Sequence, residues 1–442
     1  MQSIDALKST LRKHTITSVF DHYDGEILGL DHNKRSIKYK KMKNSPFQFY
    51  RGSAYLFYFD ISSLPLAYHT PKDKPTWIQG DLHFDNFGGF RNESGEMVFD
   101  SNDFDEGYLG SYLYDVFRMA TSIGLYGDQL DFDSEQQKSF IEAYIKAYHQ
   151  QLEKFTEQEV DPATLSFTKK NTAGPVSDTL SSFEERDAVE KLEQMTVVED
   201  GKRRFKVEGA IEELSDEERQ GLEAAWPEYI QSLDENKQSA GRFFKIKDAV
   251  KLIGAGTGSI GLNRYFILIE GEGSNQMDDV ILEAKEARYP ATGYYFPYDD
   301  LFSDESDMHH GRRVIRTQKA MHYLQDPYLG FFTIADSHFY VRENSTFDEE
   351  LDPETLQQSD DMVETVETMG KVTAKIHARA DRDVEESLPH DSEAVILKAI
   401  GDIERFCEDI TNLSMFYKQR VKQDYELFNE WLEEEFLGEG KD

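Results

Sequence analysis

The sequence predicts an α+β protein, and three observations carry that expectation. Strand-like runs, AVKLI, RYFILIEG, VILEAKEA and HFYVRE, gather between about residues 246 and 345. Helical spacing dominates on both sides, with Leu113, Val116, Phe117, Ala120 and Ile123 on one face and Met362, Val366, Met369, Thr373 and Ile376 on another. A chain of 442 residues with 38% hydrophobic and 13% aromatic content has enough apolar material for two or three compact units.

Residues 1 to about 130 read as polar helices, the aromatic run SPFQFYRGSAYLFYFDI, short strands and turns, and then the helix containing Leu113. From 131 to 245 the pattern is charged and helical, as in SDEERQGLEAAWPEYIQSL, and is broken by NTAGP and EDGK. The strand-rich stretch follows at 246 to 345. Residues 346 to 442 are again helical and end in an aromatic-rich helix through Trp431.

Charge narrows the partners. With 85 acidic and 49 basic residues the formal charge is −36, which repels nucleic acid backbones. The exception is NKRSIKYKKMKNSPFQFYRG, where Lys34, Arg35, Lys38, Lys40, Lys41, Lys43 and Arg51 run together. A solvated basic face is the plain reading, and a contact from Arg51 to a phosphate or anionic substrate is the functional one. The start, MQSIDALKSTLRKH, lacks the apolar core of a signal peptide, and no run of eighteen apolar residues follows. The expectation is a cytoplasmic protein without membrane contact. The single cysteine, Cys407, excludes an internal disulfide and lies in an apolar helical pattern, so it reads as a core thiol.

The chemistry concentrates in WIQGDLHFDNFGGFRNESGEMVFDSNDFDEGYLGSYLYDVFRMATS. An apolar stub leads into Gly80, Asp81, Leu82 and His83, with Asn86 five positions after the aspartate. Phosphoryl transfer needs a carboxylate that orients the attacking hydroxyl and takes its proton, and oxygen ligands that hold magnesium against phosphates. Asp81 suits the first task, and Asn86 and Asp103 the second, with Asp105 as a further ligand. A hairpin turning at Asn92 to Gly95 separates the two acidic motifs. His83 is grouped with Asp81 as a catalytic residue, expected to orient the loop ahead of any acid–base role, and Asp115 is expected to anchor the loop or to cap the following helix. Taken alone, GDLH is a common tetrapeptide and NDFDE an ordinary solvated turn. Two strand-bounded motifs in the order one site requires are far more specific.

The second constellation is VKLIGAGTGSIGLNRYFILIEGEGSNQMDDVILEAKEA, with Gly254, Gly256, Gly258, Ser259 and Gly261. A dinucleotide fingerprint must open a helix, but YFILIE branches and alternates as a strand, so that reading fails. Strand, glycine-rich turn and strand instead resemble the loop that covers ATP phosphates with backbone amides, and Lys285 on the next strand has the position of a phosphate-contacting lysine. A glycine-rich hairpin with an exposed lysine is the plain alternative.

Together, SPFQFYRG, GDLHFDNFG, NDFDE, GTGSIG, EAKEA and TAKIHARAD resemble the motifs of an uncharacterised bacterial domain-of-unknown-function family, grouped with the protein-kinase-like and aminoglycoside phosphotransferase-like folds. The resemblance covers most of the chain and is weakest between about 131 and 240. It implies a two-lobed protein-kinase-like fold using ATP and Mg2+, in which Asp81 matches the catalytic aspartate, Asn86 and Asp103 the metal ligands, and Lys285 the phosphate-contacting lysine. Residues 1–245 would then form the large catalytic lobe, including a helical segment at 131–245, and 246–345 the small nucleotide-binding lobe. Residues 346–442 would complete the large lobe.

Two departures stand out. The catalytic loop precedes the glycine-rich loop, which fits a circular permutation. The helix HHGRRVIRTQKAMH, where a glutamate partner for Lys285 is expected, offers Arg312, Arg313 and Arg316, leaving Glu283, Glu286 or Glu305 as substitutes. The expected activity is transfer of the ATP γ-phosphate to a hydroxyl on an unidentified small-molecule or protein acceptor. A weakly catalytic nucleotide-binding regulator and a nucleotidyltransferase are alternatives on the same residues. A metallophosphoesterase built on Asp81, His83, Asp103 and Asp105 is a third, for which the 12 histidines are too scattered.

Overall fold

The β-branched and aromatic runs after residue 245 form one antiparallel sheet. Its strands are β8 (Ile246–Leu252), β9 (Arg264–Ile269), β10 (Val280–Ala287), β11 (Gly330–Ile334) and β12 (Ser337–Glu343), with β7 (Ile211–Glu213) added at one edge. The order is β11-β12-β10-β9-β8-β7. β10 lies at its centre, with Lys285 opposite Arg264 of β9 and Tyr340 of β12. The computed structural model describes residues 4–437 other than 184–185, 187–188, 235–243, 255–259, 272–275, 299–308, 383 and 385–387.

Both faces of this sheet are covered by residues that precede its main strands β8 to β12 in sequence. Leu222, Trp226 and Tyr229 of the helix Asp216–Ser232 pack with Ile267, Leu282 and Phe339 on one face. On the other, Leu192 and Phe205 pack with Val250, Leu268 and Ile281; Phe205 closes a hairpin of β5 (Thr196–Glu199) and β6 (Lys202–Phe205). The sheet and its cover therefore begin well before residue 246, and the segment 131–245 holds strands as well as helices.

The helical part is organised around Tyr112–Gln129, whose residues 112 to 127 are all buried. A helix buried on every side can only be central. Ile403–Trp431 packs along it. Ser134–Thr156 and Ser359–Arg379 pack against each other at Gly370, where an added Cβ would lie 2.4 Å from the Tyr144 carbonyl. N- and C-terminal helices meet through Arg12, whose Nη2 lies 2.7 Å from Asp60 and 2.6 Å from Asp424. Among the described residues no helix is long and apolar enough to cross a membrane. Cys407 is buried, and burial pushes its thiol up to about 11, as befits a core residue.

Four short strands carry the acidic motifs. β1 (Thr76–Ile78) pairs with β4 (Tyr108–Gly110), and β2 (Phe87–Arg91) pairs with β3 (Met97–Ser101) across the turn at Asn92 to Gly95, with β13 (Asp348–Glu350) beyond β2. The Asp81 loop leaves β1 and the Asp103 loop leaves β3, so the β1–β4 pairing and the β2–β3 hairpin between them bring the two loops side by side.

Candidate functional site

The loop after β1 is held from below by the central helix. Asp115, fully buried, accepts the amide N–H groups of Gln79 (2.6 Å) and Gly80 (2.9 Å). His377 Nε2 lies 3.2 Å from the same carboxylate, and its Nδ1 lies 2.9 Å from the Tyr148 hydroxyl. Asp115 is thus an anchor; the cap of its helix is Ser111, whose Oγ accepts the Leu113 N–H. Gly80 has φ +85°, and a Cβ there would lie 2.1 Å from the Glu106 carbonyl, so only glycine lets the two loops approach. Gln79 joins them directly, accepting the Asp81 N–H at Oε1 (2.8 Å) and donating from Nε2 to the Asp103 carbonyl.

Asp81, Asp103, Asp105 and Arg51 line one cleft with Glu106 and Arg288; its volume is about 110 Å³. Arg118, buried in the central helix, donates from Nε (2.6 Å) and Nη2 to Asp81 Oδ1. Its guanidinium is stacked between Tyr50 and Phe57, 4.2 and 5.1 Å from their ring centres. Burial pushes Asp81 up to about 6 although Arg118 opposes the shift. That places a carboxylate close to the pH at which a general base works best.

His83 is not among the residues that line the cleft. It is buried edge-on to Phe47, its Nε2 is 3.9 Å from Asp81 Oδ2, and burial together with Arg51 and Arg118 holds it neutral. Asn86 turns its amide nitrogen to the Asp81 carbonyl (2.9 Å), leaving its Oδ1 as the atom a cation could use. Arg51 is paired with Asp85. The rest of the basic run is largely neutralised, with Arg35 on Asp21, Lys38 on Asp24 and Lys43 on Glu433, while Lys41 donates to the Gly254 carbonyl (2.9 Å).

Lys285 stands on the sheet beside this cleft and pairs with Asp105 of its lining, 180 positions away in sequence. Burial would lower the lysine, but Asp105, Tyr340 and Asp103 outweigh it and hold it charged. Burial and the neighbouring Asp103 raise Asp105. For Asp103, burial is outweighed by Lys285 and by the Asp105 N–H (3.1 Å), so its carboxyl stays below the usual range. The substitutes considered for a glutamate partner are engaged elsewhere: Glu283 with Arg264 and Arg342, and Glu286 with Asn263. Glu305 lies outside the described residues, as do Gly256, Gly258 and Ser259. Gly254 and Gly261 are described, both with positive φ (+72° and +88°).

The sequence reading gave no site role to four contributors. Arg118 grips Asp81. Glu106 lies in the cleft, pushed up to about 7 by burial, and accepts the Ala291 N–H (2.5 Å). Arg313, on the helix His310–Met321, donates to the carbonyls of Gly107, Asp105 (2.7 Å) and Arg288 (2.9 Å), so arginine secures the acidic loop where a glutamate was expected. Arg288 is the fourth. A signal existed for the first: a charged residue three positions after Asp115 in a helix otherwise apolar all round.

Asp105 Oδ1 is buried and accepts no hydrogen bond among the described residues. An orphaned carboxylate oxygen beside a second carboxylate fits a hard divalent cation, and two carboxylates are what magnesium takes when phosphates supply further ligands. Asp381, Asp391 and Glu393 are the one group of three acidic or histidine side chains, among the described residues, whose ligand atoms lie within 4.8 Å of one another; none lines the cleft.

The family model described as "Uncharacterized protein conserved in bacteria (DUF2252)" matches residues 31–431, and the chain belongs to that family. No curated protein and no solved structure matches it.

Proposed function

We propose that this member of a conserved bacterial family is an ATP- and magnesium-dependent phosphotransferase of two-lobed, circularly permuted kinase-like fold, acting on a hydroxyl acceptor yet to be identified. The observation that carries the reading is the Lys285–Asp105 ion pair: a strand lysine meets the acidic loop whose Asp105 lines the same cleft as Asp81. The order along the sheet supports it. A glycine-rich connection joins β8 to β9, Lys285 stands on β10, and a helix follows before β11, as in the nucleotide-binding half of a kinase. The proposed permutation accounts for that half following the Asp81 loop.

Asp81 is the base. It accepts the proton of the acceptor hydroxyl as that oxygen bonds to the γ-phosphorus and the bond to the β-phosphate oxygen breaks, releasing ADP. Arg118 occupies one of its carboxylate oxygens and leaves Oδ2 for the hydroxyl. Asp103 and Asp105, with Asn86 Oδ1, are the groups that would hold magnesium. When bound, the metal supplies charge neutralisation of the phosphates. Lys285 would contact the phosphates on leaving Asp105.

The test splits chemistry from binding. Asp81→Asn should leave ATP affinity nearly intact and lower turnover by about two to four orders of magnitude, the usual worth of a general base. Asp103→Ala should weaken magnesium-dependent ATP binding and turnover together. Turnover is read with ATP labelled at the γ or α phosphate, which also separates phosphate from nucleotide transfer. Wild-type turnover in Asp81→Asn would remove that residue from the mechanism. One observation favours the weakly catalytic regulator as a second reading: Arg313 stands where an activating glutamate is expected. ATP binding without any labelled product would select it.

A further inference from the structure

Arg288 follows β10, three residues beyond Lys285, and its guanidinium belongs to the same cleft as Asp81, Asp103 and Asp105. Its backbone is fixed, because Arg313 donates to its carbonyl (2.9 Å) while also gripping the carbonyl of Asp105 (2.7 Å). The origin of this side chain is therefore tied to the acidic loop. Its head group is held differently from the other cations lining the cleft. Lys38 is paired with Asp24 and Arg51 with Asp85. Arg288 donates from Nη1 to the Leu28 carbonyl (2.9 Å) and from Nη2 to the Gly261 carbonyl (3.3 Å), and it forms no carboxylate pair among the described residues.

That arrangement leaves a half-buried positive charge without a carboxylate pair among the described residues, in a cleft whose other charged groups are mainly carboxylates. Burial accordingly pulls the Arg288 guanidinium below the ordinary arginine value, with only Glu286 and Tyr294 opposing. Carbonyl oxygens are weak partners for a guanidinium compared with phosphate, which matches its planar fork with two parallel N–H bonds. One of those carbonyls belongs to Gly261, at the end of the glycine-rich turn proposed to cover phosphates. Lys285, meanwhile, is engaged by Asp105.

We propose that Arg288 is a second phosphate-contacting cation of this cleft, exchanging the carbonyls of Leu28 and Gly261 for the polyphosphate of a bound nucleoside triphosphate. The inference rests on the nucleotide reading and adds to it a discrimination by phosphate number. A residue that merely braced the glycine-rich turn would affect all adenine ligands alike.

Calorimetric titration of the full chain with ATP, ADP, AMP and adenosine at fixed magnesium separates the cases. Arg288→Ala should weaken ATP by about tenfold to a hundredfold, the range for a charge-assisted contact, with a smaller loss for ADP and none for adenosine. Arg288→Lys should recover part of the loss, since it keeps the charge without the fork; it also serves if the alanine variant folds poorly. Undiminished ATP binding in both variants, or equal losses for ATP and adenosine, overturns the role of Arg288 and leaves the nucleotide reading intact. Failure of the wild-type chain to bind ATP overturns both.

Discussion

Arg118 and Asp81 set the character of the cleft more than any other pair. The guanidinium has 0% exposure and the carboxylate 20%, so each is the other's main compensation for leaving water. Removing one partner of such a pair strands the other, at about 3–5 kcal/mol. Arg118→Met should therefore lower unfolding free energy by about 3 kcal/mol in urea titrations. Asp81→Asn introduced into that variant should restore part of the loss, because a neutral amide needs no counter-charge. Additive losses would show that Arg118 stabilises the helix by packing on Tyr50 and Phe57 alone. The candidates Asp81, Asp103 and Asn86 could be picked out in sequence because they lie in short motifs with fixed spacing, and Asp81 and Asp103 do line one cleft. Arg118 could not be picked out, since its meaning depends on a helix being buried on every side, a fact of tertiary packing. His83 is the converse: its place beside Asp81 in sequence suggested chemistry, but its ring is packed away against Phe47.

The helix His310–Met321 shows how an element positions a site without contributing a reacting group. Its Arg313 holds the acidic loop, and just beyond its end His322 is wedged between Phe90, stacked at 5.1 Å, and Phe104, edge-on at 5.0 Å. Phe104 belongs to that same loop. His322 Nε2 lies 3.6 Å from Asp100, which is paired with Lys375. Burial brings His322 down to about 4 despite Asp100. A histidine whose folded value lies below its unfolded value of about 6.5 supports folding fully above that value, and the support is lost as pH falls from about 6.5 toward 4. Relative to wild type, His322→Asn should thus gain about 2–3 kcal/mol between pH 7 and pH 4.5 in parallel urea titrations. A pH-independent difference would mean that His322 protonates freely in the folded protein. The major elements were readable, because β8 to β10 and the long helices carry strong periodicity. The hairpin β5–β6 and strand β7 were not: KRRF and IEE are short and polar, and they become strands by pairing with or covering a sheet that already exists.

Across the whole molecule, the cleft is where the sheet meets the helical part, and its walls come from segments as far apart as Tyr23, Asp81 and Arg288. Sequence motifs named the acidic wall and the lysine but not the boundary of the sheet, since the covering helix Asp216–Ser232 reads as any amphipathic helix until its partner is known. On the proposed nucleotide reading, Lys285 meets phosphates only once its pair with Asp105 opens. Magnesium faces the same obstacle: of its two carboxylates, one is already engaged by the ammonium of Lys285. Magnesium alone should leave the melting temperature of the wild-type chain unchanged, and magnesium with ATP should raise it, because a ligand bound only to the folded state stabilises by mass action. Lys285→Met should reverse the first half of that pattern. With the ammonium gone, Asp103 and Asp105 repel each other uncompensated, so magnesium alone should now raise the melting temperature while ATP affinity falls. Equal responses of wild type and Lys285→Met to magnesium would show that the ion pair does not guard the cation site, and that Asp105 is reached by another route.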